Sequence, residues 1–201
     1  MTGWITDTIT QLGYPGIVLL MLLEAVFPPI PSELIIPFAG FAAGAGRLSY
    51  FGAIAAATAG SMLGAIPWYL AGRLFGLARV KWLADRFGRW FAFNSAEIDS
   101  AARLFARWGR LIVCVGRLLP IVRTLISVPA GLAKMSAPAF ALYSMIGMLL
   151  WNTALVTAGY LLHENYHLVE SVLDPLSYLV LAAVVLLYLY RVATWKPARA
   201  R

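Results

Sequence analysis

Four ionisable side chains stand inside otherwise apolar stretches of this 201-residue chain: Glu24, Glu33, Arg117 and Arg123. A charge at bilayer depth costs at least about 2.5–3.5 kcal/mol, so such groups face a cavity or one another and are functional candidates by default. Arginine stays charged and presents a planar fork of donors that suits phosphate, which makes Arg117 and Arg123 natural clamps for a phosphate-bearing ligand. Burial favours a neutral carboxyl and a neighbouring guanidinium favours a carboxylate. Glu24 and Glu33 can therefore gain or lose a proton as a ligand comes and goes. The competing reading of the same four residues is a buried salt-bridge network that holds two segments together.

Composition puts these residues in a membrane. Hydrophobic residues make up 61% of the chain and charged residues 12%, with a mean hydropathy of +0.79; globular domains run nearer ~45–50% and ~25%. A soluble fold and a disordered chain are both excluded. The net charge of +7 does not call for nucleic acid as a partner, because most basic residues flank apolar stretches and follow the positive-inside pattern. Cys114 is the one cysteine, and it reads as a small buried hydrophobe. The first sixteen residues carry no Lys or Arg and Glu24 interrupts the first apolar run, so no cleavable signal peptide is expected.

The elements that must position the four charges are five apolar stretches, at about 17–46, 50–78, 111–135, 138–162 and 176–195. A bilayer span needs ~20 continuous apolar residues. The first stretch contains Pro28, Pro29, Pro31 and Pro37, and the third contains Pro120 and Pro129. Proline removes an amide donor and disfavours helix in the residue before it, so both stretches should break midway. Residues 73–110 carry eight basic side chains, Arg73 through Arg110, against Asp85, Glu97 and Asp99, and the C-terminal end carries Arg191, Lys196, Arg199 and Arg201. Both regions should be cytoplasmic, with the acidic segment 163–174 outside. Parity is kept only if 111–135 enters and leaves on one side. The expectation is an all-α polytopic membrane protein forming a single integral-membrane domain over 1–201. It has two opposed re-entrant helical hairpins, at 17–46 and 111–135, and about three full transmembrane helices, at 50–72, 138–162 and 176–195. A cytoplasmic amphipathic segment lies at 79–108, its aromatics toward lipid and its arginines toward headgroups.

The two broken stretches read as copies of one unit. At an offset of 91 residues, Pro29-Ile30, Leu34-Ile35, Ala39-Gly40 and Ala42 coincide with Pro120-Ile121, Leu125-Ile126, Ala130-Gly131 and Ala133. Under that offset the acids match Val115 and Thr124, and the arginines match Val26 and Ser32. One hairpin supplies only acids and the other only bases, so a central cavity is expected to have carboxylates on one wall and guanidiniums on the other. A broken segment repeated in each half is the pattern of inverted-repeat transporters. Gly60, Gly64, Gly72 and Gly76 let another helix approach closely, within one chain or between two, so a homodimer stays open. Trp68 and Tyr69 read as packing or interfacial residues, and Asn152 and Thr157 as bonding across helices.

His163-Glu164-Asn165-Tyr166-His167 satisfies H-E-x-x-H, the zinc-hydrolase pattern. Neither Glu170 nor Asp174 stands at a known third-ligand spacing, so the match reads as chance in a polar loop, with a zinc-dependent membrane hydrolase as the enzymatic alternative.

Three motifs carry a resemblance to a family. The first is Glu24 with Pro28-Pro29-Ile30-Pro31-Ser32-Glu33 and Ala39-Gly40. The second is Gly60-x3-Gly64-x4-Tyr69-x2-Gly72-x3-Gly76. The third is Arg117-x2-Pro120-x2-Arg123-x6-Ala130-Gly131-x3-Met135. On these residues the chain resembles the DedA family of bacterial inner-membrane proteins, also described as the SNARE-associated or VTT domain. The resemblance implies two opposed re-entrant hairpins and lipid movement between leaflets, either of undecaprenyl phosphate or of phospholipids, often tied to the proton-motive force. It also implies that Glu24 and Glu33 match the family's essential acids and Arg117 and Arg123 its essential arginines. The expected function is a multi-pass translocase for a phosphate-headed lipid, with membrane lipids and protons as partners. It is not an enzyme and calls for no cofactor or metal. The alternatives are a phospholipid scramblase, a proton-coupled carrier of a small cation or drug, and a membrane scaffold.

Overall fold

The computed structural model describes residues 3–26, 32–91, 95–120 and 122–162. Pro29 and Pro31, the H-E-x-x-H segment, the acidic segment 163–174, the expected span 176–195 and the basic C-terminal end lie outside the described residues. Within them every regular element is a helix: α1 (Gly3–Leu12), α2 (Tyr14–Val26), α3 (Ser32–Gly44), α4 (Tyr50–Phe91), α5 (Ser95–Gly116), α6 (Val122–Leu125), α7 (Ser127–Leu132) and α8 (Ala137–Leu161).

The breaks fall where backbone chemistry puts them. Gly13, with φ +60°, separates α1 from α2 in a conformation that costs glycine little. Pro15 and Pro138 sit in the first turns of α2 and α8, where an amide donor is not needed. After α5 the chain turns through Arg117–Pro120 and re-forms only single turns as α6 and α7. The third apolar stretch is thus broken as its prolines and arginines require. The first apolar stretch divides into α2 and α3, each 13 residues long, or about 20 Å at 1.5 Å per residue. That falls short of a ~30 Å hydrocarbon core. Pro37, counted among the breakers from sequence, lies inside α3. It removes one amide donor, but the helix continues because α3 is seated against α8 along its length.

Two of the described helices are long and apolar enough to cross a bilayer, Tyr50–Gly76 in α4 and Ala137–Leu161. The first runs past the expected end at residue 72 to Gly76, where φ +71° and ψ 157° interrupt the helix before it resumes to Phe91. Residues 79–91 follow the interruption at Gly76 as the end of α4, and residues 95–108 form the first part of α5. In α5, Leu104 and Trp108 are exposed beside exposed Arg103, Arg107 and Arg110, while Phe105 turns inward. The sequence reading placed no helix before residue 17, yet α1 buries Ile5 and Ile9 against Ile17, Leu20 and Ile36.

Packing is reciprocal between the two halves. α3 lies against α8 and α7 against α4. Gly40 faces the Val156 carbonyl while Gly159 faces the Pro37 carbonyl. Gly131 likewise faces the Tyr69 carbonyl while Gly72 faces the Val128 carbonyl. At all four positions a methyl group would run into backbone. Small residues that let helix backbones meet are the usual currency of membrane packing. One apolar cluster gathers α1, α2, α3 and the first turns of α4; a second gathers Tyr69, Val113, Ile126, Phe140 and Met148.

Candidate functional site

The polar residues that are buried, outside both apolar clusters, are Glu24, Ser32, Thr58, Arg117, Arg123, Ser127, Ser144 and Asn152. Three of the four expected site residues are among them, and Glu33 is partly buried beside them. Glu24 comes from the last turn of α2, whose end is fixed by the Trp68 indole N–H donating to the Ala25 carbonyl at 2.7 Å. Arg123 comes from the single turn α6. Its Nη2 donates to Glu24 Oε1 at 2.6 Å and stands 4.0 Å from Glu33 Oε1. The Ser32 hydroxyl donates to the other oxygen of Glu33 at 3.4 Å. Two carboxylates from α2 and α3 thus face one guanidinium from the other half of the chain.

Arg117 is placed differently. Its Nη1 donates to the backbone carbonyl of Arg123, and its Nη2 to the hydroxyls of Ser127 at 2.9 Å and Ser144 at 3.2 Å. The guanidinium lies over the Phe140 ring at 5.7 Å. Arg117 is only 4% exposed and has no carboxylate within ion-pair distance among the described residues. Its fork ties the end of α5 to α6, α7 and α8. The acids thus come from α2 and α3 and the arginines from the other half of the chain. The two walls meet at Glu24 and Arg123, as in the network reading, and the second arginine is held by neutral acceptors.

A cavity of about 30 Å³ lies at this junction, lined by Glu24, Arg117, Arg123, Trp68, Trp151, Asn152 and small residues of α4. That is room for water and not for a lipid headgroup. Arg117 Nε, Arg123 Nε and Trp151 Nε1 are buried without an acceptor among the described residues, an unusual concentration of unused donors. Asn152 donates to Thr58 Oγ1 at 3.1 Å, and the Tyr50 and Thr157 hydroxyls meet at 2.7 Å, so both expected cross-helix bonds are found. No cluster of His, Cys, Asp and Glu suited to a metal ion occurs among the described residues.

A family model described as the VTT domain matches residues 16–161, which takes in α2 through α8 and every residue of this junction. The chain belongs to the DedA family. This DedA protein is 38% identical over 186 residues to an "Alkaline phosphatase-like protein" of Lactococcus lactis subsp. cremoris, covering 92% of this chain and 87% of that one. It is 32% identical to "Undecaprenyl phosphate transporter A" of Staphylococcus aureus over 92% of both chains. The protein of the same name from Bacillus subtilis is 29% identical over 90% of this chain and 88% of its own. No solved structure matches. With the VTT domain, helices as the regular elements of the described residues and this hydropathy, the DedA protein is a membrane protein.

Several of the remaining motif residues of the DedA chain are packing residues. Gly60 and Gly64 bring α4 onto Val18, Met21 and Ala25 of α2. Tyr69 stacks on Phe140 with centroids 4.3 Å apart, and its hydroxyl donates to the Met135 carbonyl at 2.5 Å. Arg73 donates to that hydroxyl at 2.5 Å and to the same carbonyl at 3.2 Å. Gly76 stands apart from the other glycines: nothing lies within 4 Å of where its Cβ would be, and its role is the positive φ. Pro120 is exposed in the turn before α6. Sequence reasoning missed Ser127, Ser144 and Trp151. Hydroxyls within apolar helices were a usable signal for the serines, whereas Trp151 reads as one more lipid-facing aromatic.

Proposed function

We propose that this DedA protein is a multi-pass carrier of the bacterial inner membrane that moves a phosphate-headed lipid between leaflets together with protons, and is not an enzyme. The reading rests on one observation: two buried guanidiniums at a junction where only one of them has a carboxylate within ion-pair distance. The name of the Staphylococcus aureus relative, undecaprenyl phosphate transporter A, favours undecaprenyl phosphate as the cargo. The short helices α2 and α3, the broken run α5–α7 and the reciprocal glycine contacts support an inverted repeat. In that reading its two re-entrant hairpins enter from opposite faces and their tips meet at the charges.

The chemistry is an exchange of partners. While ionised, Glu24 occupies Arg123. A proton on Glu24 cancels the charge that holds the pair, and a headgroup phosphate, a bidentate acceptor of higher charge, takes the guanidinium instead. Arg117 adds a second buried positive charge that makes no ion pair among the described residues. On the other face the proton leaves, Glu24 recaptures Arg123 and the phosphate is released. Glu33, beside the same guanidinium, is a second station for the proton.

Headgroup translocation in proteoliposomes tests this, with undecaprenyl phosphate, phosphatidylglycerol and phosphatidylethanolamine compared with and without a pH gradient. Gradient-sensitive movement of the polyprenyl phosphate, lost in Arg123→Ala, is the expected result. Equal gradient-independent movement of all three would make the protein a scramblase, and no movement would remove the transport reading.

A further inference from the structure

Trp151 belongs to no motif, yet it lines the central cavity, and its indole N–H is buried with no acceptor among the described residues. Its ring lies beneath the Arg123 guanidinium at 5.9 Å. The neighbouring unused donors, Nε of Arg117 and of Arg123, come from residues lining the same cavity. A buried donor without an acceptor is costly, and a site made of such donors favours a ligand that supplies acceptors in matching number. Three N–H groups match the three terminal oxygens of a phosphate monoester; a phosphodiester has two. An indole N–H donates and neither accepts nor ionises, so it contributes selection among acceptors without adding charge.

The geometry points to Trp151 as the residue that distinguishes a phosphate monoester from a phosphodiester, its indole N–H bonding the terminal oxygen that a diester lacks. This rests on the reading of Arg123 as the headgroup clamp. The resting cavity of about 30 Å³ is too small for phosphate, so the contact forms when Glu24 and Arg123 part. The indole face then keeps the guanidinium in place by cation–π attraction. A membrane is rich in diester headgroups, and charge alone would admit them. A donor that only a monoester satisfies selects the rarer lipid.

Trp151→Phe keeps the aromatic face and removes the donor. Binding to the full-length protein in nanodiscs is read with undecaprenyl phosphate as the monoester and phosphatidylglycerol as the diester. The substitution should weaken the monoester about ten-fold, the scale of one hydrogen bond to a charged group, and leave the diester unchanged. Equal monoester affinity in the two proteins, or an equal loss for both lipids, would overturn the assignment. Absence of monoester binding in the wild-type protein would overturn the clamp reading, and the assignment with it. Inorganic phosphate as competitor separates the sources: displacement of the lipid supports recognition of the free group as well, and no displacement beside a Trp151-dependent lipid supports the headgroup alone. If thermal unfolding shows the Phe variant to be unstable, β-(3-benzothienyl)alanine at position 151 keeps the bicyclic shape without the N–H and is read in the same way.

Discussion

Glu24 and Arg123, 99 positions apart in the chain, meet at 2.6 Å with both side chains buried. The contact joins the last turn of α2 to the single turn α6, two places where a helix stops inside an apolar stretch. Neither residue could be there on a continuous helix. A helix end exposes unpaired carbonyls or amides, which a buried site must satisfy by other means. Arg117 does so for the Arg123 carbonyl, so one arginine holds the backbone of the other.

Removing one partner of this pair should cost more than removing both. Arg123→Gln alone leaves Glu24 a buried charge without its partner, a loss of about 3–5 kcal/mol for typical buried pairs, whereas Glu24→Gln leaves Arg123 the more distant Glu33 at 4.0 Å and should cost less. Glu24→Gln with Arg123→Gln leaves two neutral amides able to bond each other. Thermal unfolding in detergent should place the double variant between wild type and the worse single variant. Additive losses would mean that the pair is not coupled in the membrane-inserted protein.

Arg117→Lys keeps the charge but not the fork that reaches Ser127, Ser144 and the Arg123 carbonyl together. The expected result is a less stable protein with Arg123 out of register, and lipid movement lost even where folded protein is recovered. Ser144→Ala removes a single acceptor and should cost about 1–3 kcal/mol while transport persists. Wild-type transport rates in Arg117→Lys would show that charge alone is needed at this position.

The charges, prolines and glycines made much of this legible. An apolar run carrying Pro120, Pro129 and two arginines cannot be one helix, and the structure ends α5 at Gly116 for that reason. Which acid would meet which arginine was not legible, because the offset between repeats gives register and not the side-chain reach that favours Glu24 over Glu33. Arg117 was read as equivalent to Arg123, since sequence does not show that two serines, from α7 and α8, converge on it. α1 is not legible because Asp7 and three threonines interrupt its apolar pattern, although Ile5 and Ile9, one turn apart, share a buried face. Gly76 was grouped with the packing glycines by spacing alone; only its φ separates it.

Tyr69→Phe preserves the stack on Phe140 and removes the hydroxyl that bridges Arg73 and the Met135 carbonyl. Arg73 still reaches that carbonyl at 3.2 Å, so the loss should be small, about 0.5–1.5 kcal/mol. Adding Arg73→Ala strips the carbonyl of both side-chain donors and should cost more than the two single losses combined. Hydrogen exchange across residues 132–137, the turn after α7, should rise in the double variant. An unchanged rate there would show that the turn is held by other contacts.

The glycines separate two kinds of constraint, and alanine at each should report which applies. At Gly131 a methyl group meets the Tyr69 carbonyl and the Arg73 amide, and at Gly159 it meets the Pro37 carbonyl. Backbone cannot step aside as a side chain can, so α7 must lift from α4, or α3 from α8. A loss of at least about 1–3 kcal/mol is expected, the usual scale of overpacking. At Gly76 the space is open, but φ +71° with ψ 157° is a conformation essentially confined to glycine and unfavourable for alanine by about 1–3 kcal/mol. The chain can escape that penalty by straightening α4. Gly131→Ala should therefore lower thermal stability and transport together, because α7 carries Ser127 toward Arg117. Gly76→Ala should leave the Glu24–Arg123 junction intact and instead redirect the helix beyond residue 76. Distances between spin labels at the exposed position 59 and at position 85 measure that angle. A lengthened distance with wild-type transport would make Gly76 a fixed bend, whereas lost transport with an intact junction would make it a hinge that the transport cycle uses.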